Sequence, residues 1–357
     1  MDFIQEAIKE AFNAMGKSTP NPPVGAIIVS KDNRVIGRGH TQSYGENHAE
    51  IEAINKSNAN LEGSTLYTTL EPCNIFNNTP PCTDTIIKNK IKHVVIGAID
   101  INSDVNGRGI KKLNDNGITT ELIKNNEDIE YTLESYNHFI IHKTPFLTLK
   151  LALSIDGKLA TNSGDSKWIT SEQSRNLVHE YRSNSDVIIT GINTVIADNP
   201  KLNVRLEHYT KDYQPKKIIL DTNGRIPIDS KCLDSNTIVI TSNMNKEISD
   251  VLISKSVIIE KIPLNEYGKL DLNYLPEILL KNNMINVLIE CGSVLSSELL
   301  KLNLLNKLLL FISPKIIGGS KFTPFSNINS DKMSNVISPK RVKNIQLDKD
   351  MLVKAWL

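Results

Sequence analysis

The chain has 357 residues, of which 39% are hydrophobic and 23% charged, and its net charge at pH 7 is +1. This composition is typical of an ordinary soluble protein and gives no electrostatic basis for binding nucleic acid or a membrane surface. The length is sufficient for two domains, each with its own core. Because the four cysteines, at positions 73, 82, 232 and 291, lack the spacing of a disulfide framework, we expect a cytoplasmic protein.

The first predicted elements are a helix and two strands. Apolar residues recur with a helical period between residues 2 and 15, which predicts a helix that packs one face on a sheet. A proline-rich loop over residues 19–25 leads into a strand over 26–29, and a second strand follows over 35–39. Asn21 lies between two prolines in this loop and could contact a ligand, although ordinary turn chemistry is the alternative.

A histidine, a glutamate and two cysteines follow in a pattern that predicts a zinc site. His48 and Glu50 stand two residues apart at the start of a predicted helix. A predicted strand over residues 64–70 leads to Cys73, and Cys82 follows nine residues later. One imidazole and two thiolates leave the fourth position of zinc open for water, and a glutamate that is not a ligand moves protons, as in the zinc nucleobase deaminases. The alternative is a structural zinc site, which normally has a fourth protein ligand.

The remainder of the first half continues the alternation of strands and helices, which predicts a layered α/β domain. A strand is predicted over residues 93–98 and a closing helix over 127–142. A Lys-Thr-Pro sequence at residues 143–145 ends this helix and marks a boundary. We therefore expect one domain over residues 1–143 and a second over 146–357.

The second half begins with a predicted strand over residues 146–152 and contains further short apolar runs, as in a buried sheet. These runs lie at residues 187–191, 217–221, 237–241 and 286–290. The last run leads through Gly292 into a predicted helix over 296–304, and small residues at such a turn let backbone N–H groups approach a phosphate. A plain strand-to-helix turn is the alternative, since the G-x-G-x-x-G fingerprint is absent from this turn.

Longer motifs in the first half resemble the deaminase half of the bifunctional riboflavin-biosynthesis deaminase–reductases. These motifs are Thr19-Pro20-Asn21-Pro22-x-Val24-Gly25, His48-Ala49-Glu50, Thr69-Leu70-Glu71-Pro72-Cys73, Thr79-Pro80-Pro81-Cys82 and Asn106-Gly107-Arg108-Gly109. Eight residues separate the two cysteines, whereas common cytidine deaminases have two there. The resemblance implies a cytidine-deaminase-like α/β/α layer domain in which Glu50 is the proton shuttle. It also implies the zinc ligands His48, Cys73 and Cys82, and substrate contacts from Asn21, Asp100 and Asn102.

The segment after Cys73 departs from the pattern of this family. The family has a histidine two residues after the first cysteine and a basic residue before Thr-Pro-Pro-Cys, whereas this chain has Ile-Phe-Asn-Asn at residues 75–78. The basic residues are expected to help hold the substrate's phosphate. We therefore expect weaker substrate binding in the deaminase half, unless a basic residue such as Arg108 replaces the contact.

Motifs in the second half resemble the reductase half of the same family. They are Lys150-Leu151-Ala152-x-Ser154-x-Asp156-Gly157, Ser166-x-Trp168-Ile169-Thr170, Asp198-Asn199-Pro200-x-Leu202-x-Val204-Arg205 and Glu290-x-Gly292. The resemblance implies a dihydrofolate-reductase-like α/β fold that uses NADPH. By position, the cofactor would contact Ala152, Trp168, Thr194, Asp198, Thr222, Gly292, Ser293, Val294, Leu295, Ser296, Ser297 and Glu298. The substrate would contact Ser166, Arg182, Leu202, Arg205 and Glu290, and the guanidinium groups are suited to a phosphate.

The resemblance spans nearly the whole chain and implies an enzyme with two active sites. The first half would release the 2-amino group of a phosphoribosylated diaminopyrimidinone by zinc-dependent hydrolysis, and the second would reduce the ribosyl chain to ribityl with NADPH. A nucleic-acid base deaminase with an added domain and a non-enzymatic zinc protein are the alternatives. Neutral charge and the cysteine spacing disfavour the first, and the open zinc position disfavours the second. We expect this substrate and NADPH as partners, no nucleic acid or membrane, and allow a homo-oligomer.

Overall fold

The computed structural model describes residues 2–76, 80–207, 209, 211 and 213–357. The chain forms two compact units, Met1–Thr144 and Pro145–Leu357, each with its own sheet. Part of the expected change in phosphate contacts falls on Asn77 and Asn78, which lie outside the described residues, as does Thr79 of the Thr-Pro-Pro-Cys motif. Within the described ranges, no helix combines the length and the apolar character needed to cross a membrane.

The first unit contains a five-stranded sheet in the order β2-β1-β3-β4-β5. Its strands are β1 (Gly25–Val29), β2 (Val35–His40), β3 (Thr65–Thr68), β4 (His93–Ile96) and β5 (Thr119–Leu122). Its helices are α1 (Phe3–Ala14), α2 (Ala49–Asn55), α3 (Cys82–Lys88), α4 (Arg108–Asp115) and α5 (Glu127–His142). β1 pairs antiparallel with β2 and β3, whereas β3, β4 and β5 run parallel.

Strand β1, which lies between β2 and β3, is buried along its whole length, and helices pack directly on this part of the sheet. Gly39 of β2 permits the close approach of α2, because an added Cβ would lie 2.4 Å from both the carbonyl oxygen of Ala49 and the amide nitrogen of Ala53. The first turn of α2 is therefore fixed against the sheet. This turn carries Glu50 and follows His48, so its position determines where both side chains point.

The second unit contains a nine-stranded sheet in the order β10-β9-β8-β7-β11-β6-β12-β14-β13. Its strands are β6 (Phe146–Ser154), β7 (Val187–Gly191), β8 (Lys216–Leu220), β9 (Thr237–Thr241), β10 (Ile258–Lys261), β11 (Asn286–Glu290), β12 (Lys307–Ser313), β13 (Arg341–Leu347) and β14 (Asp350–Trp356). Its helices are α6 (Glu172–Ser183), α7 (Ile192–Asp198), α8 (Lys246–Ser254), α9 (Leu275–Lys281) and α10 (Ser293–Lys301), with short 3-10 helices at Leu272–Tyr274 and Met333–Asn335.

The strands from β10 through β12 run parallel, and only β14 and β13 are antiparallel to their neighbours in the described sheet. Side chains from alternate positions of the parallel strands enter two hydrophobic clusters. Ile189 belongs to one cluster and its neighbour Ile188 to the other, as expected for strands that are covered on both faces. Both units therefore have the predicted α/β architecture.

Candidate active sites

His48, Cys73 and Cys82 meet at one point of the first unit. His48 is the N-cap of α2, Cys73 lies beyond the end of β3, and Cys82 is the first residue of α3. The Nδ1 atom of His48 lies 3.6 Å from Sγ of Cys73 and 3.4 Å from Sγ of Cys82, and the three atoms lie within 4.8 Å of one another. Tetrahedral zinc with bonds of about 2.0–2.3 Å separates its ligand atoms by roughly 3.5 Å, so this donor set fits zinc.

The local backbone prepares Cys73 to bind a metal. The N–H of Cys82, at the start of α3, donates to Sγ of Cys73 at 3.4 Å. Hydrogen bonds from Cys82 and His48 lower the pKa of Cys73 to about 4, although burial acts in the opposite direction. A thiolate is the form that binds metal, and it is therefore favoured at this position.

Glu50 lies beside this triad in the first turn of α2. Its side chain is only 3% exposed, and its Oε2 accepts a hydrogen bond from Sγ of Cys82 at 3.5 Å. Burial raises the pKa of Glu50 to about 7, although the positive charge of His48 opposes this change. A carboxyl group whose pKa is near neutrality can both accept and return a proton.

The other predicted deaminase residues lie in loops of the same unit. The buried carboxylate of Asp100 accepts hydrogen bonds from the hydroxyl of Tyr136 at 3.2 and 3.3 Å and from the N–H of Asn102 at 2.9 Å, and burial raises its pKa. The Oδ1 of Asn102 accepts from the N–H of Asp104 at 3.2 Å. Asn21 lies half-buried before β1. In this structure, the side chains of Asp100 and Asn102 thus accept backbone hydrogen bonds that stabilise their own loop.

A cavity of about 660 Å³ opens in the second unit at the carboxyl ends of the parallel strands β7, β8 and β11. This edge of a parallel sheet is where α/β proteins bind ligands. Eleven of the predicted cofactor and substrate residues line it. They are Ala152, Ser166, Thr194, Asp198, Thr222, Glu290, Gly292, Ser293, Val294, Leu295 and Glu298. Lys150 and Cys291 also line the cavity and were not predicted as site residues.

Four further residues predicted to contact cofactor or substrate have side chains placed elsewhere. The hydroxyls of Ser296 and Ser297 donate to the carbonyl of Ser293 on the buried side of α10, at 3.0 and 2.7 Å. Leu202 is buried in a hydrophobic cluster. Trp168 is 64% exposed, with the guanidinium of Arg175 4.5 Å from its ring centroid. Any ligand contact from the first three would therefore involve the backbone or a different side-chain position.

A buried ionic network borders the cavity. Glu290 accepts two hydrogen bonds from Arg182, at 2.5 and 3.0 Å, and lies 3.1 Å from the Nζ of Lys150. Burial alone would raise the pKa of Glu290, but the charges of Arg182 and Lys150 hold it far below its usual range. The guanidinium of Arg182, which we expected to bind a phosphate, thus binds the carboxylate of Glu290. Arg205 is exposed, and its guanidinium donates to Oδ1 of Asn203 at 2.5 Å.

The turn at the start of α10 has room for a ligand. Gly292, the N-cap of this helix, has φ −84°, and a Cβ added to it would meet nothing within 4 Å. The protein itself therefore does not require glycine at this position. The open space, the N–H groups at the start of the nine-residue helix and the adjoining cavity fit a phosphate-bearing cofactor such as NADPH.

Two family models match the chain. Residues 1–98 match the cytidine and deoxycytidylate deaminase zinc-binding region, and residues 145–353 match the RibD C-terminal domain. Together with the two sites, these matches define the class of protein. It is a zinc-dependent deaminase with a cytidine-deaminase-like fold, joined to an NADPH-dependent reductase with a dihydrofolate-reductase-like fold. The predicted fold class and the two predicted cofactors are therefore confirmed.

Full-length relatives identify the family. The riboflavin biosynthesis protein RibD of Aquifex aeolicus is 34% identical to this chain, and the match covers 99% of this chain and 98% of the relative. The RibD protein of Buchnera aphidicola is 37% identical, and the match covers 98% of this chain and 96% of the relative. The structure of Acinetobacter baumannii RibD has a TM-score of 0.80 at 33% identity, with 99% and 97% of the two chains covered. The chain belongs to the RibD family of bifunctional deaminase–reductases of riboflavin biosynthesis.

A further relative of known structure is described by its reactions. The Thermotoga maritima structure, a diaminohydroxyphosphoribosylaminopyrimidine deaminase/5-amino-6-(5-phosphoribosylamino)uracil reductase, has a TM-score of 0.80 at 34% identity and covers 99% of this chain and 97% of its own. The predicted bifunctional activity is confirmed at the level of the family. The roles of individual residues remain predictions.

Proposed function

We propose that the first unit removes the 2-amino group of 2,5-diamino-6-(5-phosphoribosylamino)pyrimidin-4-one by hydrolysis. The second unit then reduces the ribosyl chain of the product, 5-amino-6-(5-phosphoribosylamino)uracil, to ribityl. The observation that carries the proposal is the meeting of His48, Cys73 and Cys82 beside the buried Glu50. The reactions named for the Thermotoga maritima relative support the choice of substrates.

In the deaminase site, His48, Cys73 and Cys82 hold zinc. When bound, the metal supplies an activated water to the ring carbon that carries the amino group. Glu50 would accept a proton of that water at its carboxylate and give it to the ring nitrogen. It would then carry the remaining hydroxyl proton to the amino group, which leaves as ammonia while the ring carbon becomes a carbonyl, and a pKa near 7 is suited to both transfers. Asn21, Asp100 and Asn102 are assigned to the substrate side of the site because of the family resemblance.

In the reductase site, the cavity would hold NADPH, and the N–H groups at the start of α10 would bind its phosphate groups. Gly292 allows this close approach, and Thr194, Asp198 and Thr222 line the same cavity. When bound, the cofactor supplies the hydride.

The remaining reductase residues face the substrate. Ser166 and Glu290 border the cavity and contact the sugar chain, and Arg182 orients Glu290 through its two hydrogen bonds. The exposed Arg205 binds the substrate's phosphate, because its guanidinium is not held in the buried network that occupies Arg182. Trp168, Ser296 and Ser297 are assigned to the cofactor and Leu202 to the substrate because of the family resemblance.

A zinc analysis and two activity assays test the proposal. The purified chain should bind about one zinc ion, release ammonia from the diaminopyrimidinone, and oxidise NADPH when given the deaminated product. A nucleic-acid base deaminase would instead release ammonia from cytosine or adenine in an oligonucleotide. A zinc protein without enzymatic activity would release none from either compound.

We also infer that the enzyme acts in the cytoplasm, because none of the four cysteines forms a disulfide, as is usual in a reducing compartment. Its proposed partners are the pyrimidine substrate and NADPH, without nucleic acid or membrane. Whether it forms a homo-oligomer is a question for light scattering in solution.

A further inference from the structure

A buried carboxylate two residues before Cys73 has no part in the proposed chemistry. Glu71 is 3% exposed, and its carboxylate accepts four backbone N–H hydrogen bonds. Oε2 accepts from Asp100 at 3.3 Å and Gly107 at 2.9 Å. Oε1 accepts from Gly109 at 2.9 Å and Ile110 at 3.1 Å. Because a buried carboxylate is stable only when such donors replace its water, this contact set is specific for the charged side chain.

Three of these four donors belong to the start of α4. Gly107 is the N-cap of the helix, and Gly109 and Ile110 are its second and third residues. The N-cap of α4 provides no side-chain hydrogen bond. Glu71 therefore caps the helix from a distant part of the chain, with its negative charge at the positive end of the helix dipole.

The helix and the zinc-binding segment also touch through their backbones. A Cβ added to Gly109 would lie 2.1 Å from the carbonyl oxygen of Pro72 and 3.1 Å from Oε1 of Glu71. The N–H of Glu71 itself donates to the carbonyl of Ala98 at 2.9 Å, and the carbonyl of Cys73 accepts from the N–H of Thr83 at 3.1 Å. These two hydrogen bonds thus fix the backbone both before Cys73 and at Cys73 itself.

A single oxygen atom of Glu71 closes the loop that carries two of the proposed substrate residues. Asp100 and Gly107 stand at the two ends of this loop, and both N–H groups donate to the same Oε2. The loop between them contains Asn102, whose side chain accepts a hydrogen bond from within the loop. The position of this loop relative to Cys73 therefore depends on Glu71.

We propose that Glu71 is a positioning residue of the deaminase site. It clamps the loop from Asp100 to Gly107, together with the start of α4, against the segment that carries Cys73, so that the loop meets a substrate held at the metal. This inference rests on the proposed function, because the substrate contacts of the loop are assigned there. It predicts that loss of the clamp weakens substrate binding more than it slows the chemical step.

The test is Glu71→Gln in the full-length, zinc-loaded enzyme. In either orientation, the amide places an NH₂ group against two backbone N–H donors, so two hydrogen bonds are replaced by repulsion. We expect the KM for the diaminopyrimidinone to rise about ten- to a hundredfold, with kcat per bound zinc within about threefold of the parent. Hydrogen exchange at the amides of Gly107, Gly109 and Ile110 should become faster.

A second variant disturbs the same contact between α4 and the segment that carries Cys73, without changing Glu71. Gly109→Ala pushes α4 away from Pro72 and Glu71, and it should raise the same KM although the carboxylate itself is retained. The matched control is Glu62→Gln, the same change in an exposed side chain that pairs with Lys90 at 3.3 Å, and its KM should be that of the parent.

An unchanged KM in Glu71→Gln would overturn the positioning role. So would a proportionate fall in zinc content and kcat at constant KM, since that result would show that Glu71 serves only the stability of the unit. If Glu71→Gln fails to retain zinc, the KM of Gly109→Ala is used in its place, and an unchanged KM in that variant would overturn the positioning role. Failure of the parent enzyme to release ammonia from the pyrimidine would be a separate result that overturns the proposed function.

Discussion

At the scale of single residues, the proposed deamination depends on the buried carboxyl of Glu50. Glu50→Gln preserves its shape but cannot carry a proton, and the three zinc-binding side chains are untouched. We expect zinc content to stay at that of the parent and kcat for ammonia release to fall by about 10²- to 10⁴-fold. The control is Glu52→Gln in the same helix, where the side chain pairs with Lys56 at 2.9 Å. Near-normal activity in Glu50→Gln would exclude Glu50 as the proton shuttle.

Glu290 tests the energetics of the reductase unit. Glu290→Gln leaves the buried charges of Arg182 and Lys150 without their carboxylate, which should lower the free energy of unfolding by about 3–5 kcal/mol. The fluorescence of Trp168 and Trp356, both in the second unit, can follow its unfolding in urea. The control Glu260→Gln breaks a more exposed pair with Lys281 and should cost less than about 1 kcal/mol.

The parent and Glu290→Gln should also differ in how their stability depends on pH. Because the folded pKa of Glu290 lies below its unfolded value, its stabilising effect is complete above the unfolded pKa and is lost as pH falls towards the folded pKa. The parent should therefore lose stability in acid below about pH 4, and Glu290→Gln should lose less. Equal acid sensitivity in both proteins would show that Glu290 does not contribute this effect.

Residue identity and spacing singled out His48, Cys73, Cys82 and Glu50, which lie together in the structure, because zinc chemistry restricts both the residue types and their order. The roles of these residues stay predictions. They were insufficient for Arg182, whose expected phosphate partner is replaced by Glu290, more than a hundred residues away in sequence. Glu71 belongs to the motif that ends in Cys73, but the sequence predicted no role for it. Its four donors come from the loop between Asp100 and Gly107 and from the start of α4, which only the folded chain brings near it.

At the scale of elements, the turn between β11 and α10 is the most informative. Gly292→Ala should fold normally, since the backbone there has an ordinary φ of −84° and the added Cβ meets open space. If NADPH phosphates approach this turn, the methyl group should raise the Kd for NADPH by about tenfold or more, measured by fluorescence titration. An unchanged Kd, with an unchanged thermal midpoint, would place the phosphates elsewhere.

The elements that were predicted best are the buried ones. The apolar runs at residues 187–191 and 286–290 coincide with β7 and β11, because strands covered on both faces must be apolar along their length. The hairpin of β13 and β14 was not predicted, since most of β13 is exposed or half-buried and its sequence, Arg-Val-Lys-Asn-Ile-Gln-Leu, resembles a surface segment. The predicted helix over 296–304 begins earlier, at Ser293, because its first turn carries small residues suited to a turn.

At the scale of the whole molecule, each unit has its own hydrophobic core and its own site. Cys73→Ser removes a zinc ligand from the first unit without touching the second. We expect it to abolish ammonia release while NADPH-dependent reduction of the deaminated intermediate stays at the parent rate. Loss of both activities in a chain that remains folded would contradict the assignment of one reaction to each unit.

The two-unit organisation followed from a proline after a long helix and from the repeated alternation of strands and helices in both halves. Composition alone could not distinguish a deaminase from any other α/β protein. The motifs could, because a metal site and a cofactor turn each require particular residues at particular points of the chain.

If one chain catalyses both reactions in succession, the ammonia released and the NADPH oxidised must be equal in amount. Purified enzyme is given the diaminopyrimidinone and NADPH, and ammonia released and NADPH oxidised are measured in the same sample until the reaction ends. We expect one ammonia for each NADPH, with neither reaction exceeding the other at completion. Oxidation of NADPH without ammonia, or ammonia without any NADPH consumed, would contradict it.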